Sequence, residues 1–175
     1  MPQINSFKSM SNTVSAVIEG TLHYGILQNL VFSSGQTVKY MLLEIPADVS
    51  CQYITQGLTL APYDDTFKVR MIEGITTLTT GTPVIIVDMN RNFQTQPILC
   101  NFTSAPVGSY GSEGTILADF NSSSIRQIDF LNASKILKQD VERILKPSTK
   151  YLFEFSRTTE ATTLTIEFRW IWIEV

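Results

Sequence analysis

The sequence predicts an all-β protein, an antiparallel β-sandwich or jelly roll with at most one short helix, and three observations favour this fold class. Apolar and polar side chains alternate with a period of two, most clearly over residues 164–170, as in a strand with one buried face. Short apolar runs recur about every 8–14 residues, separated by turns rich in Gly, Pro, Ser and Thr. Paired threonines, such as Thr76 with Thr77, suit the solvent-facing side of strands.

The sequence predicts one domain preceded by an arm. Its 175 residues are about the size of a single domain and suffice to bury a core without a disulfide or a structural metal. Residues 1–12 are polar and lack periodicity, so we expect an extended N-terminal arm. One β-sandwich domain is then expected over residues 13–175, because the chain shows neither an internal repeat nor a second hydrophobic unit.

The first half of the domain contains several predicted strands. A turn-rich link is expected at 20–25, and Pro46 is expected to end a strand because proline cannot donate to a central ladder. In the strand before Pro46 we expect Val38, Tyr40 and Leu42 to be buried, with Met41 and Leu43 as further candidates. The predicted strands of this half are 13–19, 26–32, 37–45 and 67–72, whereas residues 49–61 are a mixed segment to which no strand is assigned.

The second half follows the same pattern with one ambiguous segment. Residues 74–81 and 104–114 are predicted loops. Residues 121–145 allow at most one short helix, which Pro147 would stop. A Thr-rich turn is expected to join the last two strands into a long antiparallel hairpin. The predicted strands of this half are 84–87, 98–102, 115–120, 151–155 and 164–173.

Charge and composition limit the function classes. The net charge is −3, lysines and arginines are scattered, and charged residues make up 17% of the chain, below the roughly 25% usual for soluble domains. The sequence therefore offers no basic footprint for nucleic acid. It also shows no apolar segment long enough for a membrane span or a signal peptide. Cys51 and Cys100 fit no CxxC pattern, so we expect two reduced, buried thiols.

Residues with catalytic potential are sparse. The single histidine, His23, is expected in a turn, exposed or hydrogen-bonded, and no spacing links it to a nucleophile or a metal site. Asp64 and Asp65 are interpreted as a solvated turn, because calcium sites draw on several spaced oxygen ligands. No phosphate-binding glycine motif occurs. The sequence therefore predicts a protein that is not an enzyme and has no cofactor or metal.

Four segments, in order, carry a resemblance to a known group. I-E-G stands at 18–20, and D-M-N-R-N at 88–92 follows a Gly-Thr-Pro turn. R-I-L-K-P-S-T-K-Y-L at 143–152 precedes a Thr-rich turn and a strand that contains F-R-W at 168–170. This pattern resembles small structural proteins of tailed-bacteriophage virions, of the head decoration or cement type, whose ending reads W-I-L-K-P-N-T-x-Y-L. This chain has Arg143 in place of the tryptophan.

The resemblance implies a β-sandwich or jelly-roll structural protein on the outer capsid surface, made in the cytoplasm of a bacterial host. Its expected partners are the major capsid protein and two further copies of itself in a homotrimer. Neither nucleic acid nor a membrane nor a small-molecule ligand is expected as a partner. Such a protein would strengthen the head lattice through many weak contacts multiplied by symmetry.

Two motifs and the terminal strand supply the candidate residues. The guanidinium of Arg91, flanked by two asparagines, could pin a loop onto its own sheet or onto a neighbouring subunit. The Lys-Pro turn is expected to set the register of the strand that follows, and the terminal strand is a candidate lining of the trimer axis. The candidate structural and interface residues are Asn90, Arg91, Asn92, Lys146, Pro147, Tyr151, Trp170 and Trp172.

Two alternatives remain open at this point. A host-surface, carbohydrate-binding module of a phage head or tail fibre would need Trp170 and Trp172 exposed as a stacking platform, although neighbours on one strand face are more often core aromatics. A glycan-cleaving enzyme would need only two carboxylates, and the chain contains sixteen Asp and Glu residues.

Overall fold

The structure, a computed structural model, describes residues 21–61, 66–88, 97–121, 135–158 and 163–174, and these form strands and loops without a helix. The fold-class prediction is therefore confirmed. The predicted arm and the first predicted strand lie outside the described residues. The strands are β1 (Leu22–Phe32), β2 (Val38–Ile45), β3 (Cys51–Ala61), β4 (Lys68–Glu73), β5 (Thr82–Pro83), β6 (Ile85–Asp88), β7 (Asn101–Ser104), β8 (Thr115–Asn121), β9 (Lys135–Leu145), β10 (Thr149–Ser156) and β11 (Leu164–Glu174).

Two antiparallel sheets pack face to face as a β-sandwich. The five-stranded sheet has the order β6-β1-β11-β3-β9, and the six-stranded sheet has the order β5-β7-β2-β10-β4-β8. The terminal strand β11 is central in its sheet, between β1 and β3. It is therefore an interior strand of the sandwich, with one face in the core between the sheets.

The prediction that the last two strands form a hairpin is wrong. β10 pairs with β2 and β4, whereas β11 pairs with β1 and β3 in the other sheet. The chain thus crosses from one sheet to the other after Ser156. Alternation within a strand reports which face is buried, but it does not report which strand lies alongside.

The short helix that the sequence allowed does not form in the described part of 121–145. Residues Lys135–Leu145 form β9 and pair with β3 along most of its length. The apolar spacing here fits a helical face and a bulged strand about equally well, so tertiary pairing decides the outcome. The rest of the ambiguous segment, 122–134, lies outside the described residues.

Residues 22–25, expected in a turn, belong instead to the long strand β1. A bulge between Leu27 and Leu30 interrupts its pairing with β11, and Asn29 adopts a left-handed conformation there, with φ 56°. Such a bulge reverses the side-chain alternation, so the run does not read as one strand in the sequence. The sequence suggested a separate segment beginning at residue 26 because Gly25 is typical of a turn, although here it lies inside the strand.

Burial on β2 is the reverse of the prediction for two of its residues. Val38 is 40% exposed and Tyr40 is partly exposed, whereas Met41, Leu43 and Ile45 face the main core. Leu42 is buried as predicted, but it belongs to a second, smaller core on the outer face of the six-stranded sheet. Both faces of this strand are covered, so alternation alone could not identify the inner one.

The main core contains a continuous row of aromatic rings. Trp172 contacts Phe102, whose ring also lies 5.0 Å from Trp170. From Trp170 the row passes to Phe168, and it then continues to the opposite end of the sandwich through Phe155, Phe67 and Phe32. Each of these rings is at most 1% exposed. The row therefore fills the space between the sheets with large, rigid side chains.

Two loops cover the outer face of the six-stranded sheet. Loop residues Ile75 and Leu78 pack on Leu42, Leu152 and Ile72 to form the second core. The loop after β4 and the loop after β7 are joined by a two-way backbone bridge between Thr79 and Val107. They correspond to the predicted loops 74–81 and 104–114.

Candidate functional site

Trp170 and Trp172 are core residues. They are 1% and 0% exposed, and their rings stack at a centroid separation of 6.3 Å. An exposed sugar-stacking platform made of these two side chains is therefore excluded, and the core interpretation is confirmed. Their burial also removes both side chains from any surface that could line an oligomer axis.

Lys146, Pro147 and Tyr151 form a tightly bonded crossing between the two sheets. The backbone N–H of Lys146 donates to the Tyr151 hydroxyl oxygen at 2.7 Å, and that hydroxyl lies 3.2 Å from a Glu73 carboxylate oxygen. The Lys146 ammonium pairs with the same carboxylate at 2.6 Å. Because burial disfavours the phenolate, and Glu73 disfavours it further, the pKa of Tyr151 rises to about 12. These bonds tie the turn to the start of β10, and its role in setting the register of that strand stays a prediction.

Asn90, Arg91 and Asn92 lie outside the described residues. Their assignment as a loop-pinning or intersubunit cluster stays a prediction.

A buried carboxylate that sequence reasoning missed ties the two sheets together. Glu174 is 6% exposed and accepts three hydrogen bonds, from the backbone N–H groups of Leu99 and Cys100 and from the indole N–H of Trp172, all between 2.8 and 3.0 Å. His23 is fully buried beside it, with its Nε2 atom 3.9 Å from the carboxylate. The sequence signal is a lone acidic residue in an otherwise apolar strand end.

The location of His23 differs from the predicted one. It lies in β1 directly opposite Trp172, with the two ring centroids 5.3 Å apart, and not in an exposed turn. The Cys51 and Cys100 thiols lie in the same region, and both are buried and free. The hydrogen bond between these two thiols, together with burial and the nearby Glu174, raises the pKa of Cys100 well above its usual range.

A row of polar side chains crosses the outer face of the six-stranded sheet. Register places Tyr40, Glu154, Arg70 and Asp119 side by side on β2, β10, β4 and β8. Glu154 is 4% exposed, and the Arg70 Nε atom donates to it at 2.9 Å. This hydrogen bond is the main cause that raises the pKa of Arg70. The buried charge is thus paired, and Tyr40 is held against Tyr110 at its edge.

A second polar group lies on the same face beyond the small apolar core. Glu44 accepts from the Thr80 hydroxyl at 2.9 Å and from the Asn101 amide at 3.0 Å, and it pairs with the Lys150 ammonium at 2.9 Å. Partial burial raises the pKa of Glu44, but these donors together outweigh it and hold the pKa below its usual value. The group anchors the covering loop at Thr80.

Three of the four sheet edges carry an exposed isoleucine. Ile85 on β6 is 69% exposed, Ile116 on β8 is 52% exposed and Ile144 on β9 is 78% exposed. The fourth edge, β5, is only two residues long and contains Pro83. Among the described residues no further strand pairs with β6, β8 or β9. Edges of this kind are suited to contact with another chain.

In the ranges that the structure describes, no group of three or more His, Cys, Asp or Glu residues could hold a metal ion. No helix in the same ranges is long and apolar enough to cross a membrane.

Comparison with known proteins found no family model that matches the chain and no curated protein that matches it significantly.

Proposed function

We propose that this chain is a non-enzymatic structural protein of a tailed-phage virion, a decoration or cement protein that binds the major capsid protein on the outer head surface as a homotrimer. The observation that carries the proposal is the set of exposed isoleucines on the edge strands β6, β8 and β9, with which no further strand of the described residues pairs. Isolated proteins usually protect such edges with charge, proline or a covering loop. An edge that is left apolar and unpaired favours a role in assembly.

The interior supports the same interpretation. The aromatic row fills the space between the sheets, and the buried carboxylates Glu154 and Glu174 are bonded to donors of the protein itself. A rigid sandwich whose buried carboxylates are internally paired is suited to bearing load. Binding would then rest on its edge strands, where each contact is weak. Trimerisation makes the second and third contacts intramolecular and raises the overall avidity.

Solution mass and capsid binding test this proposal. By light scattering we expect the full chain to be a trimer, and we expect it to co-sediment with capsids of its phage. Ile144→Lys places a charge on the most exposed edge position, so it should weaken assembly or capsid binding at least tenfold. Val107→Lys is the matched control, because Val107 is 65% exposed but lies in a loop and not on an edge strand.

A stable monomer that does not bind capsids would overturn the proposal. Equal losses in the Ile144→Lys and Val107→Lys variants would also count against it, because the edge would then have no special role. Circular dichroism of both variants shows whether the sandwich is intact in each comparison.

A further inference from the structure

A cleft opens between the two sheets where β1 bulges away from its neighbour. It encloses about 390 Å³, within the range of about 300–1,000 Å³ typical of small-ligand sites. One wall is the bulged part of β1, and the other is formed by β2 and the loop that follows β7. The lining residues that bear on the argument are Gln28, Asn29, Lys39, Tyr40, Ser104 and Ala105.

Both walls contain a residue in a costly backbone conformation. Asn29 has φ 56° and Ala105 has φ 45°, and alanine in particular has no local hydrogen bond to offset the left-handed conformation. Four non-glycine residues with positive φ occur in the described ranges, and two of them line this one cleft. Strained backbone of this kind concentrates at ligand sites, where the surrounding structure holds it in place.

The charge of the lining favours an anion. Lys39 is the one charged residue among those that line the cleft. Its ammonium lies 5.7 Å from the centre of the Phe32 ring, and it takes part in none of the ion pairs formed among the described residues. A cation without a carboxylate partner at the mouth of a cleft can bind a carboxylate with little competition.

The remaining lining favours a polyhydroxylated ring. The Gln28 and Asn29 amides each offer donors and an acceptor. The Ser104 hydroxyl donates to the Thr82 carbonyl at 3.3 Å, so towards a ligand its oxygen can act as an acceptor, whereas the Tyr40 ring lies against Tyr110 on the outer face of the sheet. The apolar part of the lining suits the C–H face of a sugar.

We propose that this cleft is a binding site for one acidic sugar unit of a glycan, with Lys39 facing its carboxylate and the Asn29 and Gln28 amides facing its ring hydroxyls. Ile116 and Ile144, two of the edge isoleucines that carry the assembly proposal, lie on strands that do not line the cleft, whereas Ile85 pairs with Ile26 next to the cleft-lining Leu27. The Ile144→Lys variant therefore tests assembly without altering the cleft, and the two proposals can fail independently. The sequence predicted no small-molecule ligand, and its carbohydrate-binding alternative rested on the buried tryptophans. The proposal places carbohydrate binding at the cleft and not at the two tryptophans.

Amide NMR titration of the full chain tests the proposal with three probes. Sodium glucuronate should shift the backbone amides of Asn29, Lys39 and Ser104 in a saturable manner. Glucose has a comparable ring without the carboxylate and should bind about tenfold more weakly, as expected for the loss of a charge-assisted hydrogen bond. Sodium acetate has the carboxylate without the ring and should leave these amides in place.

Three variants localise the effect. Lys39→Met keeps the apolar stem and should weaken glucuronate binding about tenfold. Asn29→Gly removes the amide while glycine accepts the left-handed backbone, so binding should weaken in a protein that still folds. Lys68→Met is the control, since Lys68 is exposed, lies outside the cleft and changes the net charge equally.

Three results would overturn the proposal. Glucuronate at high millimolar concentration could leave the cleft amides unshifted. Acetate could shift them as much as glucuronate does, which would indicate an adventitious ion only. Lys39→Met and Lys68→Met could weaken glucuronate binding equally, which would indicate attraction by net charge and no built site.

Discussion

Gly25 and Trp170 face each other across paired strands, and the absence of a side chain at Gly25 makes room for the indole. A Cβ atom at Gly25 would lie 2.2 Å from the Cε2 atom of Trp170. The ring cannot retreat easily, because Phe102 and Phe168 hold it on other sides. The sequence placed Gly25 at a turn, whereas its role is close packing within a strand.

Gly25→Ala should therefore destabilise the protein by about 1–3 kcal/mol, the usual cost of overpacking a core. Gly111→Ala is the matched control, because a Cβ atom there meets nothing within 4 Å, and we expect a change within about 0.5 kcal/mol. Urea unfolding of both variants measures the difference. Equal urea midpoints for Gly25→Ala and Gly111→Ala would show that the Trp170 indole can move aside at no cost.

Glu113 clamps the two covering loops together. Its carboxylate accepts from the hydroxyls and the backbone N–H groups of Thr76 and Thr77, at 2.6 to 2.9 Å. The hydrogen bonds from the Thr76 and Thr77 side chains are the largest causes that lower the pKa of Glu113 to about 2, and the Thr77 backbone N–H comes next. These bonds are stronger to the charged carboxylate than to the protonated group.

Because the folded-state pKa of Glu113 lies below its ordinary value of 4.5, its contribution to stability is complete above about pH 4.5 and is lost as the pH falls toward 2. Carboxyl ¹³C NMR should show Glu113 titrating near pH 2, with the Thr76 and Thr77 amides shifting at the same midpoint. Glu113→Gln should abolish that transition. A midpoint near 4.5 would contradict the clamp.

At the scale of elements, β9 shows what a sequence pattern cannot decide. Ile136, Leu137, Val141, Ile144 and Leu145 share one face of a hypothetical helix, yet the segment pairs with β3 as a strand. The register shifts between Tyr53 and Thr55, and this irregularity breaks the two-residue period that would identify a strand. The available partner edge overrides local propensity.

Glu174 joins β11 of one sheet to the segment that leads into β7 of the other. Glu174→Gln keeps the shape but turns an amide N–H₂ toward donors, so at least one buried donor loses its acceptor. We expect a loss of about 1–3 kcal/mol, measured as a fall in the urea midpoint. The sequence could have suggested Glu174 only as an acidic residue in an apolar strand end, because its donors come from a distant segment.

Glu167→Gln is the control for that experiment. Glu167 lies on the same strand but is partly exposed and pairs with the exposed Arg169. Surface pairs of this kind contribute about 0–1 kcal/mol, so this variant should unfold close to the wild-type midpoint. If the urea midpoints of Glu174→Gln and Glu167→Gln fall by the same amount, the hydrogen bonds that Glu174 makes between the sheets contribute nothing special to stability.

At the scale of the whole molecule, the two thiols report the opening of the sandwich. Cys51 and Cys100 are 0% and 3% exposed, and the raised pKa of Cys100 keeps its thiol protonated. Reaction with a disulfide reagent at pH 8 should therefore require unfolding, because the thiolate is the reactive form. We expect slow labelling that accelerates with denaturant in parallel with the unfolding rate. Immediate labelling of the native protein would contradict this expectation, because it would show that the reagent reaches the thiols without unfolding.

The sequence predicts the fold class of the whole molecule but not which strands pair with each other. A two-residue period is a local property, so the sequence reveals strands such as 67–72 and 164–173 without knowledge of their partners. Which sheet receives each strand depends on distant contacts, and so the predicted hairpin of the last two strands failed. The buried Glu174 and the cleft at Asn29 depend on those same distant contacts.

The central position of β11 has a consequence for synthesis. β1 emerges early from the ribosome, but one of its two flanking partners, β11, is translated last among the described strands. Until then one whole side of β1 and one of β3 stay without hydrogen-bonding partners, a state that invites pairing with neighbouring nascent chains. Closure of this sheet is thus a late, long-range event, and a slow one by the usual dependence of folding rate on sequence separation. Cells that produce the protein at high levels would need to protect the unpaired sides of β1 and β3 until β11 is synthesised.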